Sequence, residues 1–496
     1  MILFFDFRVL KLRVLKLRVL KLRVLKLLFS QIDSLDYSPE KLRTKTKQKK
    51  NKNRLKKNKK DIVAASIYLS STFIRGNSLR NDPSTEELKT WIIELRREFH
   101  RYPELSFKEY ETQKKILKIL EELGIKARKI ADTGVLASIC GTKPGPCIAL
   151  RSDTDGLEVQ EEPEERKKTY ISRNKGVMHA CGHDGHMAML LGAARLFLEN
   201  RNFPGEIRLI FQPAEEIPPG GSERVIAEGE LEGVDAVLGL HIFSNHEAGS
   251  IGFRPGPFMA STNRFEIILI GKGGHISKPA SCIDPVRMAA DFINNLYPAL
   301  AEKLEQDKYV LGIGRIQGGA QFNRTPDTVG ILGSYRTFDS ETTELIDMTL
   351  RKCLDSLIEK YEKEGKEFLG LPTFKLSILH SYPVLANDPY FTQAAHSKLV
   401  ESFPELTIYP ELEKTFAAED FASYLQKVPG LFISLGNLNP KKNIMEINHS
   451  SRFEIDEDIL LSGTRIFHTL ALDFLQNPKK YLKKHKEIPK KSQAIS

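Results

Sequence analysis

Four short apolar runs constrain the fold more than any other feature of the chain. Cys147–Arg151, Ile207–Phe211, Ala236–Leu240 and Leu431–Leu435 have the length of strands, and helical patterns such as Met187–Leu198 and Phe421–Gln426 lie between them. A strand that lacks polar alternation needs cover on both faces, and intervening helices supply it. The expectation is an α/β fold with a mainly parallel sheet. A different texture occupies Phe253–Phe368. A strand at Phe265–Ile270 and a long helix at Pro285–Leu304 are followed by alternating strands at Tyr309–Ile316 and Thr328–Thr337, then a long helix at Glu341–Glu364. That order reads as a small α+β domain inserted into the α/β one. The expected division is 84–252 and 371–475 for the two pieces of the main domain, 253–370 for the insertion and 476–496 for a basic tail.

The folded body is expected to open at Ser84, which with Glu87 has the spacing of a capping box. Leu88, Trp91, Leu95 and Phe99 then form an apolar stripe at helical steps, and Pro103 ends the helix. A second helix is expected from Tyr110 to Leu123, closed by Gly124.

Charge separates an appendage from this body. The formal net charge is +10, yet residues 1–60 hold 20 Lys and Arg against 4 Asp and Glu, and the rest holds 54 against 60. A mildly acidic body does not suit a nucleic-acid backbone. Within the appendage, Arg-Val-Leu-Lys-Leu occurs four times between Arg8 and Leu27. A period of five matches neither helix nor strand, and the Lys-rich stretch from Lys41 to Lys60 has the composition of disorder. Residues 1–83 therefore read as a basic low-complexity extension; a targeting or membrane-surface segment is the other reading. The odd number of cysteines, five in 496 residues, does not form a disulfide framework and suits a reducing, cytoplasmic setting. No apolar run has the length of a membrane span.

Four features fall at strand ends or helix starts, the edge where open α/β sheets bind ligands. Met178-His-Ala-Cys-Gly-His-Asp-Gly-His186 puts Cys181 and His183 two apart in a Gly-punctuated loop, with His179, Asp184 and His186 as further ligands or supports. Thiolate and imidazole suit zinc-like ions, although taken alone the commoner explanation is a buried thiol beside a core histidine. Gln212-Pro-Ala-Glu-Glu216 sets two carboxylates after a strand. A cation would offset their repulsion, leaving one Glu to bind metal and the other to take a proton; alone, the pair also reads as a solvated loop. His241 follows an apolar strand and could equally be a core histidine. Asn448-His-Ser-Ser-Arg452 could equally be a simple turn. Together they bring one thiol, three imidazoles and two carboxylates to one sheet edge, where Asp153 and Asp155 also lie. Five ligands and a spare carboxylate are what two metal ions and a general base require.

The chain resembles the amidohydrolases that include hippurate hydrolase, N-acyl-amino-acid amidohydrolase and the plant indole-3-acetyl-amino-acid hydrolases, a branch of the aminoacylase–carboxypeptidase two-metal superfamily. The likeness runs from about residue 86 to residue 475. It is carried by Phe99-His-Arg-Tyr-Pro-Glu-Leu105, Leu150-Arg-Ser-Asp-Thr-Asp155, the Met178–His186 segment, Gln212–Glu216 and Gly239-Leu-His241. Gly271-Lys-Gly-Gly-His275, Thr325-Pro-Asp327, Ala418-Glu-Asp-Phe421 and His449 continue it.

The resemblance implies Cys181, His183, Glu216, His241 and His449 as ligands of two divalent ions, manganese or zinc, with cobalt or nickel also admitted. It implies Glu215 as general base and His275 as the oxyanion-stabilising histidine, which in relatives can reach the site from a partner subunit. Asn323 and Arg336 would hold a substrate carboxylate, and the inserted domain would act as lid and homodimer interface. The implied reaction is hydrolysis of a small N-acyl amino acid. A metallo-carboxypeptidase or dipeptidase of the same superfamily is the alternative, and a catalytically silent binding protein the non-enzymatic one. Two departures bear on substrate choice: Arg324-Thr-Pro326 replaces the family's Val-Ile-Pro, and Ala280 replaces a frequent histidine after Pro279.

Overall fold

The computed structural model describes residues 83–364 and 370–483. The Arg-Val-Leu-Lys-Leu repeat, the Lys-rich run and the end of the basic tail lie outside the described residues.

The main sheet has eight strands. In spatial order they are Ala127–Ile130, Gly134–Cys140, Pro204–Gln212, Lys143–Asp153, Ala236–Glu247, Gly430–Leu438, Ser250–Gly252 and Thr407–Tyr409. The four strands that carry the apolar runs sit side by side in the middle and are parallel. Antiparallel pairing is confined to the flanks. Their side chains divide between two cores, as strands covered on both faces require. Ile148, Leu150, Leu209, Leu238 and Ile433 pack on one face, against helices Pro83–Arg101, His183–Glu199 and Leu460–Gln476. Cys147, Ala149, Ile210, Val237 and Phe432 pack on the other, with Val225, Phe421 and Tyr424.

The smaller sheet is antiparallel, in the order Tyr309–Gly318, Thr328–Thr337, Thr262–Ile270, Thr373–Tyr382. Phe265, Ile267, Leu269, Val329 and Ile331 point to one side and bury against Met288, Phe292, Leu296, Ile346, Leu350 and Leu354 of the helices Pro285–Ala301 and Ser340–Glu364.

Three expectations need correction. The boundary at 370 ends the small domain one strand early. Thr373–Tyr382 pairs along the length of Thr262–Ile270, and the alternation of Phe374, Leu376 and Ile378 with Lys375 and Ser377 carries that strand. The first helix already includes Pro83, so Ser84 lies within its first turn rather than capping it. Proline fits there because that turn's N–H groups have no intrahelical partner. Phe421–Gln426 is a single turn, Ala422–Leu425. The second helix, Tyr110–Glu122, ends as expected at Gly124, whose φ of +72° is in the left-handed region.

Candidate metal centre

The strand ends position the chemistry. Lys143–Asp153 delivers Asp153, Pro204–Gln212 leads into Ala214-Glu215-Glu216, and Ala236–Glu247 carries His241. Cys181 and Gly182 immediately precede the helix His183–Glu199. Gly182 has a φ of +90°, a backbone conformation that residues with a Cβ rarely adopt, so glycine suits the turn that leads into the helix. His449, on the segment after Gly430–Leu438, takes a φ of +70°.

These segments bring Cys181, His183, Glu216, His241 and His449 together. Cys181 Sγ lies 3.5 Å from His241 Nε2 and 3.3 Å from His449 Nε2. Glu216 Oε1 lies 3.3 Å from His449 Nε2 and 3.9 Å from His183 Nε2. The ligand atoms of Cys181, His183 and Glu216 fall within 4.8 Å of one another. His183 Nδ1 hydrogen-bonds the carbonyl of Asp155 at 2.9 Å and His241 Nδ1 that of Ile242 at 2.9 Å. Each ring is thereby turned so that Nε2 presents a lone pair to the centre. His183 Nε2 and Glu216 Oε1 are buried and have no hydrogen-bond partner. Buried polar atoms are seldom left so, and a cation between them satisfies both.

The electrostatics agree with a cation. Burial, then the charges of Glu216 and Glu215, push the Cys181 thiol well above its ordinary range; a nearby cation reverses that order and yields thiolate. Burial opposes charge on His183, but Asp153 and Asp155 outweigh it and lift the imidazole to about 10, so that without a cation its ring keeps a proton that a bound metal would replace. The centre thus carries excess negative charge. Burial and neighbouring His186 hold His241 well below the usual value, neutral as a ligand must be. The donor set of thiolate, imidazole and carboxylate fits zinc-like divalent metals.

The other motif residues act around this centre. His186 donates or accepts through both nitrogens, to Asp153 Oδ1 at 2.6 Å and from the Ile242 N–H at 2.9 Å, so it has no lone pair to offer. Asp184 pairs with buried Arg96 and His100, each at 2.8 Å, and anchors the helix start. His179 hydrogen-bonds the Asp155 carbonyl, and burial lowers it to about 4.

Glu215 lines a cleft of about 930 Å³ that also exposes Cys181, His241, Phe243, Phe258 and Arg336. Its carboxyl lies well above the ordinary range because it is buried and faces Glu419, Glu216 and Asp420. Arg151 partly balances that group, reaching Glu419 at 2.9 Å, Asp420 at 2.8 Å and Asp153 at 2.6 Å. The loop is held by the Ala214 N–H on Glu109 at 2.8 Å, the Glu216 N–H on Asp155 at 3.0 Å and the Tyr382 hydroxyl on the Glu215 carbonyl at 2.5 Å. Glu109, Arg151, Glu419 and Tyr382 receive no role from the sequence alone. Arg151 and Glu419 lie inside motifs that carry the resemblance, whereas Glu109 and Tyr382 have no local signal.

Arg336 lines the cleft from the small sheet and donates to the Phe416 carbonyl at 2.8 Å. His275 and Asn323 do not line it. They meet each other instead, where Gly274–His275 pairs with Arg324–Thr325 and the Ile276 N–H donates to the Asn323 carbonyl at 3.1 Å. Both are exposed. Arg324 pairs with Asp327 at 2.9 Å on the surface.

A parallel α/β sheet whose strand ends gather a thiol, three imidazoles and paired carboxylates, with a separate small sheet beside the cleft, defines a metal-dependent hydrolase. The chain belongs to the peptidase family M20/M25/M40, whose sequence profile matches residues 149–473. It is 38% identical over 402 residues to thermostable carboxypeptidase 1 of Saccharolobus solfataricus, covering 80% of this chain and 98% of that one. It is 36% identical over 394 residues to N-acetylcysteine deacetylase of Bacillus subtilis, covering 79% and 98%. Among solved structures, a dinuclear metal-binding peptidase of the M20 family from Bacillus subtilis superposes with a TM-score of 0.67 at 34% identity, covering 79% of this chain and 99% of that one.

Proposed function

We propose that the protein hydrolyses the amide bond of small N-acyl amino acids, releasing a carboxylic acid and an amino acid. Cys181, His183, Glu216, His241 and His449 hold two divalent cations, manganese or zinc, with cobalt and nickel also compatible with the donor set. Bound there, the cations acidify water and polarise the amide carbonyl. Glu215 takes the proton from the attacking water and delivers it to the leaving nitrogen as the carbon–nitrogen bond breaks. Arg336 meets the substrate carboxylate. His275 and Asn323 complete the site from the small domain of a second copy, which makes a homodimer the working unit.

The observation that carries this reading is the pair of buried atoms without a hydrogen-bond partner, His183 Nε2 and Glu216 Oε1, 3.9 Å apart beside Cys181, with Glu215 on the cleft wall. The relative named for N-acetylcysteine deacetylation supports the amide class. The relative named as a carboxypeptidase supports the second reading, a peptide bond cleaved by the same residues. The test is a panel of N-acyl amino acids and dipeptides assayed with added manganese, zinc, cobalt or nickel. Turnover of the N-acyl set is expected, turnover confined to dipeptides selects the second reading, and metal binding without turnover on either selects a binding protein.

A further inference from the structure

Among the segments that carry the five candidate ligands, the one bearing His449 has the least support of its own. It belongs to no helix or strand, its ligand has a side chain 54% exposed, and its backbone is left-handed at that residue. A ligand on such a segment holds its place only if something else fixes the backbone. The preceding residue supplies contacts of the required kind. Asn448 Nδ2 donates to the Cys181 carbonyl at 3.3 Å and to the Ile242 carbonyl at 3.1 Å. Its Oδ1 accepts from the Ser244 N–H at 3.1 Å, and its own N–H donates to Ser244 Oγ at 3.0 Å. Cys181 Sγ lies 3.8 Å from the same Nδ2, whose two N–H bonds serve three acceptors, so the sulfur takes a weak share of one of them. One planar amide therefore spans the three segments that bear Cys181, His241 and His449. A second tie, the His449 N–H on the Ala180 carbonyl at 2.8 Å, joins only two of them.

We infer that Asn448 is a positioning residue for the metal centre: it registers the His449 segment against the Cys181 loop and the His241 strand, and its amide donates to the Cys181 sulfur. This inference rests on the metal reading above. The donor on sulfur draws electron density from the thiolate, so its loss raises the energy of the sulfur lone pairs. Removing an outer partner of this kind costs about 10- to 100-fold in metal affinity.

The test uses the full chain, zinc-loaded and cobalt-substituted, as wild type, Asn448→Ala, Asn448→Asp and Ser244→Ala. Asn448→Asp keeps the acceptor for the Ser244 N–H but removes both donors, and Ser244→Ala removes only the hydroxyl. Zinc affinity is read by competition with a chelator, the thiolate-to-cobalt absorption band by spectroscopy, and folding by melting of the metal-free proteins. The expected result is a loss of about 10- to 100-fold in zinc affinity for both Asn448 variants, with the charge-transfer band moved to longer wavelength. Ser244→Ala keeps the wild-type band, and all four metal-free proteins melt cooperatively. Wild-type affinity and an unmoved band in both Asn448 variants overturn the inference and leave the proposed function standing. A wild-type protein that binds neither zinc nor cobalt overturns both.

Discussion

Replacing Glu215 by Gln separates chemistry from architecture, because the structure assigns the two consequences opposite signs. Glutamine keeps the size of the side chain and removes its capacity to hold a transferable proton. General-base assistance contributes about 10²- to 10⁴-fold, so kcat/KM on an N-acyl amino acid should fall by that factor. At about 1.4 kcal/mol per factor of ten, the loss corresponds to roughly 3–6 kcal/mol of transition-state stabilisation. Stability should move the other way. Glu215 is 6% exposed, and Glu419, Glu216 and Asp420 all oppose its ionisation. A neutral amide escapes that repulsion, so the metal-free variant should melt above the wild type at neutral pH. The carboxyl binds its proton more tightly folded than unfolded, so the advantage should shrink as pH falls toward the unfolded pKa. Steady-state rates, metal content by elemental analysis and melting at several pH values report the three quantities. A rate within threefold of the wild type with metal retained removes Glu215 from the base role. An unchanged or lower melting temperature refutes the electrostatic account of its surroundings.

Cys181→Ser replaces the polarisable donor and should lower zinc occupancy at a fixed chelator concentration; full occupancy would make Cys181 a packing residue. Burial and the charge of Asp155 lift Glu109 to about 7 from 4.5. Since a raised folded-state pKa stabilises only below the unfolded one, stability should decline as pH rises from about 4.5 to 7, by about 3 kcal/mol in all. Glu109→Gln should flatten that slope, and parallel melting curves across the range would refute the assignment. Two separately inactive variants, Glu215→Gln and His275→Ala, should regain activity when unfolded and refolded together, approaching one quarter of the wild type, because half of the sites in the mixed dimers combine intact Glu215 with intact His275. No recovery would place His275 in the site of its own chain or outside catalysis.

Periodicity reports the fold where one physical effect dominates. The central strands are apolar because both faces are covered, and Ile148 and Leu150 against Cys147 and Ala149 divide between two cores accordingly. Thr373–Tyr382 escapes assignment to the small domain although its alternation is clear, because a helix-to-strand connection gives no sign of which sheet the strand will join. The motifs of the candidate ligands are legible because thiol, imidazole and paired carboxylate are unusual together at strand ends. What holds them is not. Glu109 and Tyr382 act on the Glu215 loop across 105 and 167 residues of sequence, through bonds to backbone atoms that any residue presents. Such contacts leave no trace in local composition. His275 and Asn323 illustrate the converse, since resemblance names them while the folded chain keeps them out of its own cleft.

The supports around the cleft explain why the centre can be formed by loops at all. Buried Arg96 spans Asp184 at 2.8 Å and Glu454 at 2.8 Å, joining the helix that starts beside Cys181 to the segment that follows His449. Buried Lys167 donates to the Phe453 carbonyl at 2.5 Å and faces Glu161 at 3.3 Å, while Glu161 also meets His100, itself on Asp184. Taking so many charges out of water is costly, and a packed apolar core of the same volume would be at least as stable. An apolar core, however, fixes volume more strictly than direction, whereas ion pairs and hydrogen bonds fix both. The ligands need direction, because their lone pairs must converge across a gap of a few ångströms. These buried ion pairs tie the elements next to the Cys181 and His449 loops to one another, and none of their residues lines the cleft. A cation bound by the proposed ligands would meet a preorganised set of donors, and its binding energy would go into holding the ion rather than into folding the loops around it.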